Sequence, residues 1–159
     1  MSEHTPRNDA EAVALRFAAA MGNDTDAMFR LLADDFVRYG EQTGWQPMSR
    51  SMYLRMTENF LVPFPDVEWD VLEVLSDGRR VVLHLIESGT FLEPWVVGDS
   101  ILEPTGGRYT IRGALFLTVE RGQIQEYTYI HDGSFAQTIG AMMTGEFTAA
   151  YLEFLAGLS

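Results

Sequence analysis

Glu87 is the side chain whose setting in this sequence most strongly indicates chemistry. It lies in an apolar segment, residues 81–91, that follows a tight turn at residues 76–79 and has the composition of a strand. Because side chains alternate between the two faces of a strand, Glu87 shares a face with Leu83 and Leu85. A carboxylate on an apolar face is costly unless it is paired, hydrogen-bonded or protonated, and such groups concentrate in active sites. We therefore predict that Glu87 is an acid or base in a pocket. A register shift of one residue would instead place it on the surface.

Tyr129 and His131 are further candidate catalytic residues, near the end of a predicted strand at residues 123–131. They share a strand face with Tyr127. A phenol in an apolar cavity can donate a hydrogen bond to a developing oxyanion or protonate it, and an imidazole can transfer protons near neutral pH. The sequence leaves two simpler roles open, which are packing in the core for Tyr129 and a position at the cavity rim for His131.

Asp99 is the remaining candidate catalytic carboxylate, in a segment expected near the mouth of the cavity. Arg112 is predicted either to pair with Glu87 or Asp99, which would lower the pKa of the carboxylate, or to project into solvent. The side chains expected to bind the substrate are mostly aromatic, a composition that suits large planar ligands, although each is also a common core residue. They are Tyr39, Trp45, Tyr53, Met56, Trp69, Trp95, Arg112, Phe116 and Tyr127.

Residue types that the sequence lacks exclude several mechanisms. All eleven basic residues are arginine, and there is no cysteine. Schiff-base catalysis by a lysine, thiolate nucleophiles, iron–sulfur clusters and a lysine-containing phosphate loop are therefore excluded. The three histidines, His4, His84 and His131, are far apart and show no ligand spacing, so we expect no metal site and no cofactor.

Charge and length limit the partners and the size of the fold. The formal net charge of −12 argues against nucleic acid and anionic membranes, because both would be repelled, and favours a hydrophobic small-molecule ligand or substrate. The N-terminal residues are polar and no segment resembles a membrane span, so we expect a cytoplasmic protein. With 159 residues, 47% of them hydrophobic, one domain over residues 1–159 is expected.

Hydrophobic spacing predicts the elements that must position these residues. Three N-terminal helices are expected, the first capped by Asp9, the second closed by residues 34–35 and the third started near Ser49 or Ser51. A helical extension at residues 134–158, interrupted at Gly145, is expected at the C-terminal end. Strands joined by Gly-rich turns are predicted at residues 36–39, 67–75, 80–89, 95–102, 108–119 and 123–131. This order predicts an α+β fold, a curved antiparallel sheet wrapped around helices as a cone-shaped barrel.

Several short motifs, in their order and spacing over roughly residues 8–135, resemble the NTF2-like superfamily, in particular its SnoaL-like polyketide cyclase branch. They lie at residues 31–36, 64–66, 76–81, 88–90, 104–108 and 122–132. The resemblance extends to limonene-epoxide-hydrolase-like and ketosteroid-isomerase-like proteins. It implies a conical cavity that hosts cyclases, isomerases, hydrolases and non-catalytic binders, and a homodimer through the convex face of the sheet.

The family patterns map onto this sequence with informative departures. In cyclases and epoxide hydrolases of this type, the last strand carries an aspartate whose position is held here by Tyr129. The epoxide-hydrolase pattern of an arginine and an aspartate two residues apart maps onto Leu85 and Glu87, so the arginine is missing. Asp132 matches a family aspartate at the junction with the last helix, where the resemblance implies a capping role.

The leading hypothesis is a cofactor-independent acid–base enzyme, a cyclase or isomerase of polyketide-type secondary metabolism. Glu87 would transfer the proton and Tyr129 would hold or protonate the oxyanion, with His131, Asp99 or Arg112 tuning them. One alternative is an epoxide hydrolase or epoxide-opening cyclase. The other is a protein that binds a small molecule without turnover, for example for self-protection.

Overall fold

The computed structural model describes residues 3–133 and 145–158, and within them helices pack against a mainly antiparallel sheet, as predicted for an α+β fold. The α-helices are α1 (Asp9–Ala20), α2 (Thr25–Arg30), α3 (Arg50–Leu61) and α4 (Gly145–Ala156), with a 3-10 turn at Glu41–Thr43. The strands are β1 (Leu32–Tyr39), β2 (Met48–Ser49), β3 (Glu68–Ser76), β4 (Arg80–Thr90), β5 (Trp95–Val97), β6 (Ser100–Leu102), β7 (Arg108–Glu120) and β8 (Gln123–His131). No helix in these two ranges is long and apolar enough to cross a membrane. Of the expected C-terminal extension, residues 134–144 lie outside the described residues.

Side-chain caps set where the first three helices begin. The Asn8 side chain caps α1 by accepting a hydrogen bond from the Glu11 N–H, so the cap lies one residue before the predicted Asp9. Asp24 caps α2 through the Ala27 N–H, and Ser49 caps α3. Short polar side chains just before an apolar helical stripe therefore mark these starts to within one residue.

Six strands form the main sheet in the order β2-β1-β8-β7-β4-β3. The pairs β3–β4, β4–β7 and β7–β8 are antiparallel, which confirms the predicted meander. β1 lies parallel to β8 and begins at Leu32, four residues earlier than predicted. Asp34 and Asp35, predicted to end the second helix, are exposed within β1 instead, where the register with β8 shifts between Leu32 and Val37. Unpaired strand residues that face solvent tolerate such an acidic pair.

The segment predicted as one strand at residues 95–102 is a hairpin of β5 and β6, separate from the main sheet. Gly98 makes the turn with φ = 58°, a conformation that glycine adopts without steric cost.

The buried core lies between the inner face of the main sheet and the helices. Val81, Leu83 and Leu85 of β4 are fully buried and share a face with Glu87, whereas Phe17 reaches the same core from α1. Register shifts in β3 and between β7 and β8 mark bulges of the kind that bend a sheet. The sheet therefore curves around the helices.

Large apolar side chains are exposed on the outer face of the sheet. Leu75, Phe116 and Ile130 are 56%, 43% and 51% exposed and come from β3, β7 and β8. A homodimer through this face stays a prediction.

An ion pair ties the start of α1 to the sheet. The Glu11 carboxylate is covered and accepts hydrogen bonds from the Arg7 backbone N–H at 2.8 Å, the Arg7 guanidinium at 3.1 Å and the Ser76 hydroxyl at 2.7 Å. The hydrogen bonds from the Arg7 side chain and from Ser76 lower the pKa of Glu11 to about 2. The Arg7 side chain is 66% exposed, so one partner of this buried carboxylate is itself largely in contact with solvent.

Candidate active site

A cavity of about 590 Å³ lies between the inner face of the sheet and the helices α3 and α4. Its sheet side is built by Arg38 of β1, Glu87 of β4, Ile111 of β7 and the alternate residues Tyr127, Tyr129 and His131 of β8. Its helical side includes Tyr53, Met56, Thr57 and Phe60 of α3 and Thr148, Tyr151 and Leu152 of α4. The wall is thus mainly aromatic and apolar, with a few polar groups along the sheet.

Glu87 lies on the inner face of β4 and is only 8% exposed, so the pocket register predicted from alternation is the one observed. The indole N–H of Trp69, its direct neighbour across β3, donates to Oε2 at 2.7 Å. The hydroxyl of Tyr109 on β7 donates to Oε1 at 2.9 Å. Each oxygen of the carboxyl group is therefore held by one neutral donor.

Tyr109 can reach Glu87 because the residue of β4 that pairs with Tyr109 is a glycine and has no side chain in the way. Gly89 lies directly opposite Tyr109 in the β4–β7 pairing. A Cβ atom on Gly89 would lie 2.9 Å from Cε1 and 3.2 Å from the hydroxyl oxygen of Tyr109. Any side chain at Gly89 would therefore displace the phenol that orients the carboxyl group.

Burial raises the pKa of Glu87, because removing a carboxylate from water disfavours its charged form. The hydrogen bonds from Trp69 and Tyr109 oppose this effect, as does the positive charge that His131 can carry. The balance leaves the pKa above its ordinary value, which brings the proton exchange of Glu87 closer to neutral pH.

Tyr129 places a second polar group beside Glu87. Its side chain is 6% exposed and its ring lies 6.0 Å from that of Trp69 and 5.5 Å from that of His131. Burial and the negative charge of Glu87 raise the pKa of Tyr129, so the phenol keeps its proton at neutral pH. The hydroxyl is buried and lies close enough to Glu87 for its interaction with the carboxyl group to lower the pKa of Glu87, although it makes no hydrogen bond of full geometry among the described residues. A buried polar atom of this kind is a candidate contact for a ligand.

Gly113 makes room for the Tyr129 ring on the neighbouring strand. A Cβ atom there would lie 2.5 Å from Cε2 of Tyr129 and 2.9 Å from the backbone oxygen of Ile130. Since backbone cannot move aside easily, the smallest residue is required at this position.

His131 lies half-buried at the end of β8 and lines the cavity. Its Nδ1 atom accepts a hydrogen bond from the Gly133 N–H at 3.0 Å. In the neutral ring the proton is therefore on Nε2, which leaves Nε2 as the donor.

Arg38 is a cavity residue that the sequence reasoning missed. It is 2% exposed, and its guanidinium carbon lies 5.6 Å from the centre of the Tyr127 ring. Burial raises the pKa of Tyr53 and of Tyr127, and the charge of Arg38 opposes both shifts. Alternation with Phe36 within the predicted strand at residues 36–39 was the signal that could have placed Arg38 inside.

Four of the predicted substrate-binding residues line the cavity: Tyr53, Met56, Trp69 and Tyr127. Trp95 is instead 1% exposed in the core, where its indole N–H donates to the Asn59 side chain at 2.9 Å and its ring packs on that of Phe147. Its neighbours in the core therefore cover it from the cavity.

Two predicted residues of β7 face away from the cavity. Ile111 points inward, so Arg112 points outward by alternation and is exposed, and Phe116 shares that outer face with 43% exposure. Of the two positions weighed for Arg112, the structure shows the solvent-facing one.

Asp99, Trp45 and Tyr39 are also outside the cavity wall. Asp99 is exposed in the turn between β5 and β6, which form a separate hairpin, and it does not line the cavity. Trp45 is 49% exposed in the loop before β2. Tyr39 is half-buried and follows Arg38, so it points to the opposite face of β1.

Two further features bear on the predicted chemistry. Over residues 3–133 and 145–158, no group of three or more His, Cys, Asp or Glu side chains is arranged to hold a metal ion.

The carboxylate of Asp132 accepts a hydrogen bond from the Arg112 N–H at 3.4 Å, and the helix that it was expected to cap would begin outside the described residues.

Comparison with known proteins gives a consistent result. Residues 12–137 match the family model described as SnoaL-like polyketide cyclase. Many solved structures share the fold, and three of them illustrate the range of proteins that do. AclR of Streptomyces galilaeus, provisionally named a hydroxylase, is 21% identical with a TM-score of 0.72, over 84% of this chain and 96% of that one. IdmH of Streptomyces antibioticus, provisionally named a polyketide cyclase, is 20% identical with a TM-score of 0.67, over 84% and 96%. A protein of Catenulispora acidiphila with a ketosteroid isomerase-like fold is 17% identical with a TM-score of 0.64, over 86% and 95%. None of the curated proteins compared is significantly similar in sequence.

Proposed function

Because the chain belongs to the SnoaL-like polyketide cyclase family, we propose that it is an acid–base enzyme, a cyclase or isomerase that acts on a hydrophobic, oxygenated small molecule. The observation that carries the proposal is the pairing of a buried, oriented carboxyl group, Glu87, with the buried hydroxyl of Tyr129 beside it in one cavity. A carboxylate base beside a neutral phenol is a set of groups that can make and stabilise an enolate.

Glu87 would act as the general base. Its carboxylate takes a proton from a carbon next to a substrate carbonyl, and the electron pair of the broken C–H bond moves into an enolate. The hydrogen bonds from Trp69 and Tyr109 hold the carboxylate in place, and burial raises its pKa, which strengthens it as a base. In an isomerase the protonated Glu87 returns the proton to another carbon. In a cyclase the enolate carbon attacks a second carbonyl of the same substrate.

Tyr129 would bind the oxygen on which negative charge develops. Its buried O–H makes no hydrogen bond of full geometry within the described residues, so it can turn from the carboxyl group of Glu87 to that oxygen. His131, whose ring adjoins that of Tyr129, would donate a hydrogen bond from Nε2 to the alkoxide formed on cyclisation, and the protonated Glu87 would return its proton to complete the product.

The cavity supports a particular kind of substrate. A volume of about 590 Å³ lies in the range of small-molecule sites, and its aromatic side chains suit flat, fused-ring or polyene molecules. In its most specific form, the proposal is a cyclase or isomerase that acts on polyketide-type substrates.

The test measures proton abstraction without requiring the natural substrate. In D₂O, 2-tetralone, a bicyclic ketone, is incubated with the protein, and deuterium incorporation next to the carbonyl is followed by NMR. The wild-type protein should exceed the buffer background. Glu87→Gln should lower the excess rate by about 100-fold or more, and Tyr129→Phe by about 100-fold, the sizes usual for a general base and an oxyanion donor.

Matched controls make the same chemical changes outside the cavity. Glu126→Gln alters an exposed glutamate of β8, and Tyr39→Phe removes a hydroxyl on the opposite face of β1. Both should exchange at the wild-type rate. The proposal is wrong if Glu87→Gln and Tyr129→Phe, folded as judged by circular dichroism, also keep that rate.

A binding protein without turnover is the second candidate, and one observation favours it. Both oxygens of Glu87 already accept a hydrogen bond from the protein, which is also how a structural carboxyl group would be held. In that case 2-tetralone or larger ketones would bind without deuterium exchange. Epoxide opening is less well supported, because Leu85, the position of the pattern arginine, is fully buried and apolar.

A further inference from the structure

A second cavity, of about 320 Å³, lies between β3, α1 and the N-terminal residues that precede α1. We name it the side pocket. Among the described residues, Trp69 is the one side chain that lines both the side pocket and the active-site cavity. The volume is at the lower end of the range for small-molecule sites. The side pocket can therefore hold one small organic molecule, next to the indole that donates to Glu87.

Apolar side chains form the walls of the side pocket. Trp69 and Val71 line it from the inner face of β3 and are 7% and 8% exposed. Ala18 and Ala19 line it from α1, and because an alanine ends at Cβ, the helix and the strand leave space between them. The ring of Phe17, 5.8 Å from that of Trp69, packs on the indole from within the core. Trp69 is therefore a fixed wall against which a flat ligand can pack.

His4 covers the side pocket at the edge of the sheet. β3 is the last strand in the sheet order, so the backbone groups along its outer side have no neighbouring strand. The backbone oxygen of Val71 is instead hydrogen-bonded to Nε2 of His4 at 2.8 Å. Since a carbonyl oxygen only accepts, Nε2 carries the proton, and in the neutral ring Nδ1 is an acceptor. The pocket is thus lined by an imidazole that is held in one tautomer and has one acceptor nitrogen.

The charges around the side pocket favour a cation. Glu3 adds an exposed carboxylate to the lining, whereas Arg7, on the same N-terminal segment, does not line the pocket and is paired with Glu11. The net charge of −12 attracts cations from solution. A carboxylate, an acceptor nitrogen and an aromatic ring are groups that bind an ammonium ion through charge-assisted hydrogen bonds and cation–π attraction.

We propose that the side pocket is a second binding site, for a small aromatic ammonium ion whose ring packs between Trp69 and α1 and whose N–H groups donate to His4 and Glu3. The ring replaces water along the apolar walls, and the ammonium group remains at the polar, solvent-facing end. The ligand shares with the active-site cavity only the indole that donates to Glu87 at 2.7 Å. The site therefore does not depend on the chemistry proposed for Glu87.

The test titrates 2-phenylethylammonium into the full chain at pH 8 and follows the ring signals of the three histidines by NMR. Each histidine reports one place: His4 the side pocket, His131 the active-site cavity and His84 the outer face of the sheet. The His4 signals should shift and saturate, whereas those of His131 and His84 should stay in place. 2-Phenylethanol, which has a hydroxyl in place of the ammonium group, should bind about 10-fold more weakly, the difference between a charged and a neutral hydrogen bond.

Ala19→Leu tests the location, because Ala19 is exposed on α1 and a larger side chain there fills the side pocket without entering the core. In this variant, folded as judged by circular dichroism, the His4 shifts should disappear. Ala149→Leu is the matched control, since it makes the same change at an exposed position of α4 that lines neither cavity. Glu3→Gln should weaken binding by about threefold, as expected for an exposed charge.

Three results would overturn the inference. The first is the absence of a saturable His4 shift at up to about 10 mM ligand, a concentration that detects millimolar affinity. The second is a shift of His131 without one of His4, which would place the ammonium ion in the active-site cavity. The third is equal affinity for 2-phenylethylammonium and 2-phenylethanol, or binding that survives in Ala19→Leu.

Discussion

Tyr109→Phe tests how the protein sets the basicity of Glu87. The substitution removes one hydroxyl, which donates to Oε1 of Glu87 at 2.9 Å, and keeps the ring that packs in the core. This hydrogen bond favours the ionised carboxylate, so it lowers the pKa of Glu87 against the larger, opposite effect of burial. Without it the pKa of Glu87 should rise further.

The size of the change follows from the energy of the bond. A hydrogen bond to a charged group contributes about 1.5–3 kcal/mol, and one pKa unit corresponds to about 1.4 kcal/mol. The Trp69 N–H still holds Oε2, and water can enter the small space left by the hydroxyl, so we expect a rise of about one unit.

Two measurements report this rise. The ¹³C chemical shift of the labelled Glu87 carboxyl group gives its pKa directly. In the deuterium-exchange assay a base is active when ionised, so the acidic limb of the pH–rate profile should move to higher pH by about one unit, with the rate at high pH retained. Tyr39→Phe, which removes a hydroxyl on the opposite face of β1, is the control. A profile that stays in place or moves to lower pH would refute the assigned role of Tyr109.

Two further predictions concern stability and packing. Glu11→Gln should lower the free energy of unfolding at pH 7 by about 1–2 kcal/mol, a value reduced for the solvent exposure of Arg7. Because the pKa of Glu11 is depressed, its contribution to stability is complete above about pH 4.5 and disappears as the pH falls towards 2. Urea unfolding should therefore show a smaller stability difference between the wild-type protein and Glu11→Gln at pH 3 than at pH 7. An equal difference at the two pH values would contradict this prediction. Gly113→Ala should lower the melting temperature through a clash worth about 1–3 kcal/mol, and it should lower the exchange rate by displacing Tyr129. Gly145→Ala, where a Cβ meets no atom of the described residues within 4 Å, should do neither. Normal exchange in a stable Gly113→Ala protein would show that the Tyr129 ring is not held as described.

Strand alternation was sufficient to place the central residues of the site. The predicted bounds of β8 match those observed, and Tyr127, Tyr129 and His131 share the inner face. Glu87 lies inward because the Asp77-Gly78 turn sets the register of β4 against β3. A period of two and a strong turn are local properties, so a single sequence contains them.

Choosing candidate site residues by their chemical type was less informative than the alternation of side chains along the strands. Trp45, Phe116 and Asp99 have suitable chemistry but lie outside the cavity, since their elements point elsewhere. Arg38 was overlooked because an arginine is usually exposed, and only its packing on Tyr127 and beside Gly40 shows why this one is buried.

The sequence by itself determined the family, the order of most elements and the carboxyl group at the centre of the site, because these depend on local spacing and on turn residues. Only the tertiary structure decided what that carboxyl group contacts. Trp69, Tyr109 and Tyr129 lie 18, 22 and 42 positions away from Glu87 in a chain whose sheet brings them together. The pKa of Glu87 depends on burial and on these distant donors, and such contacts exist only once the strands are paired.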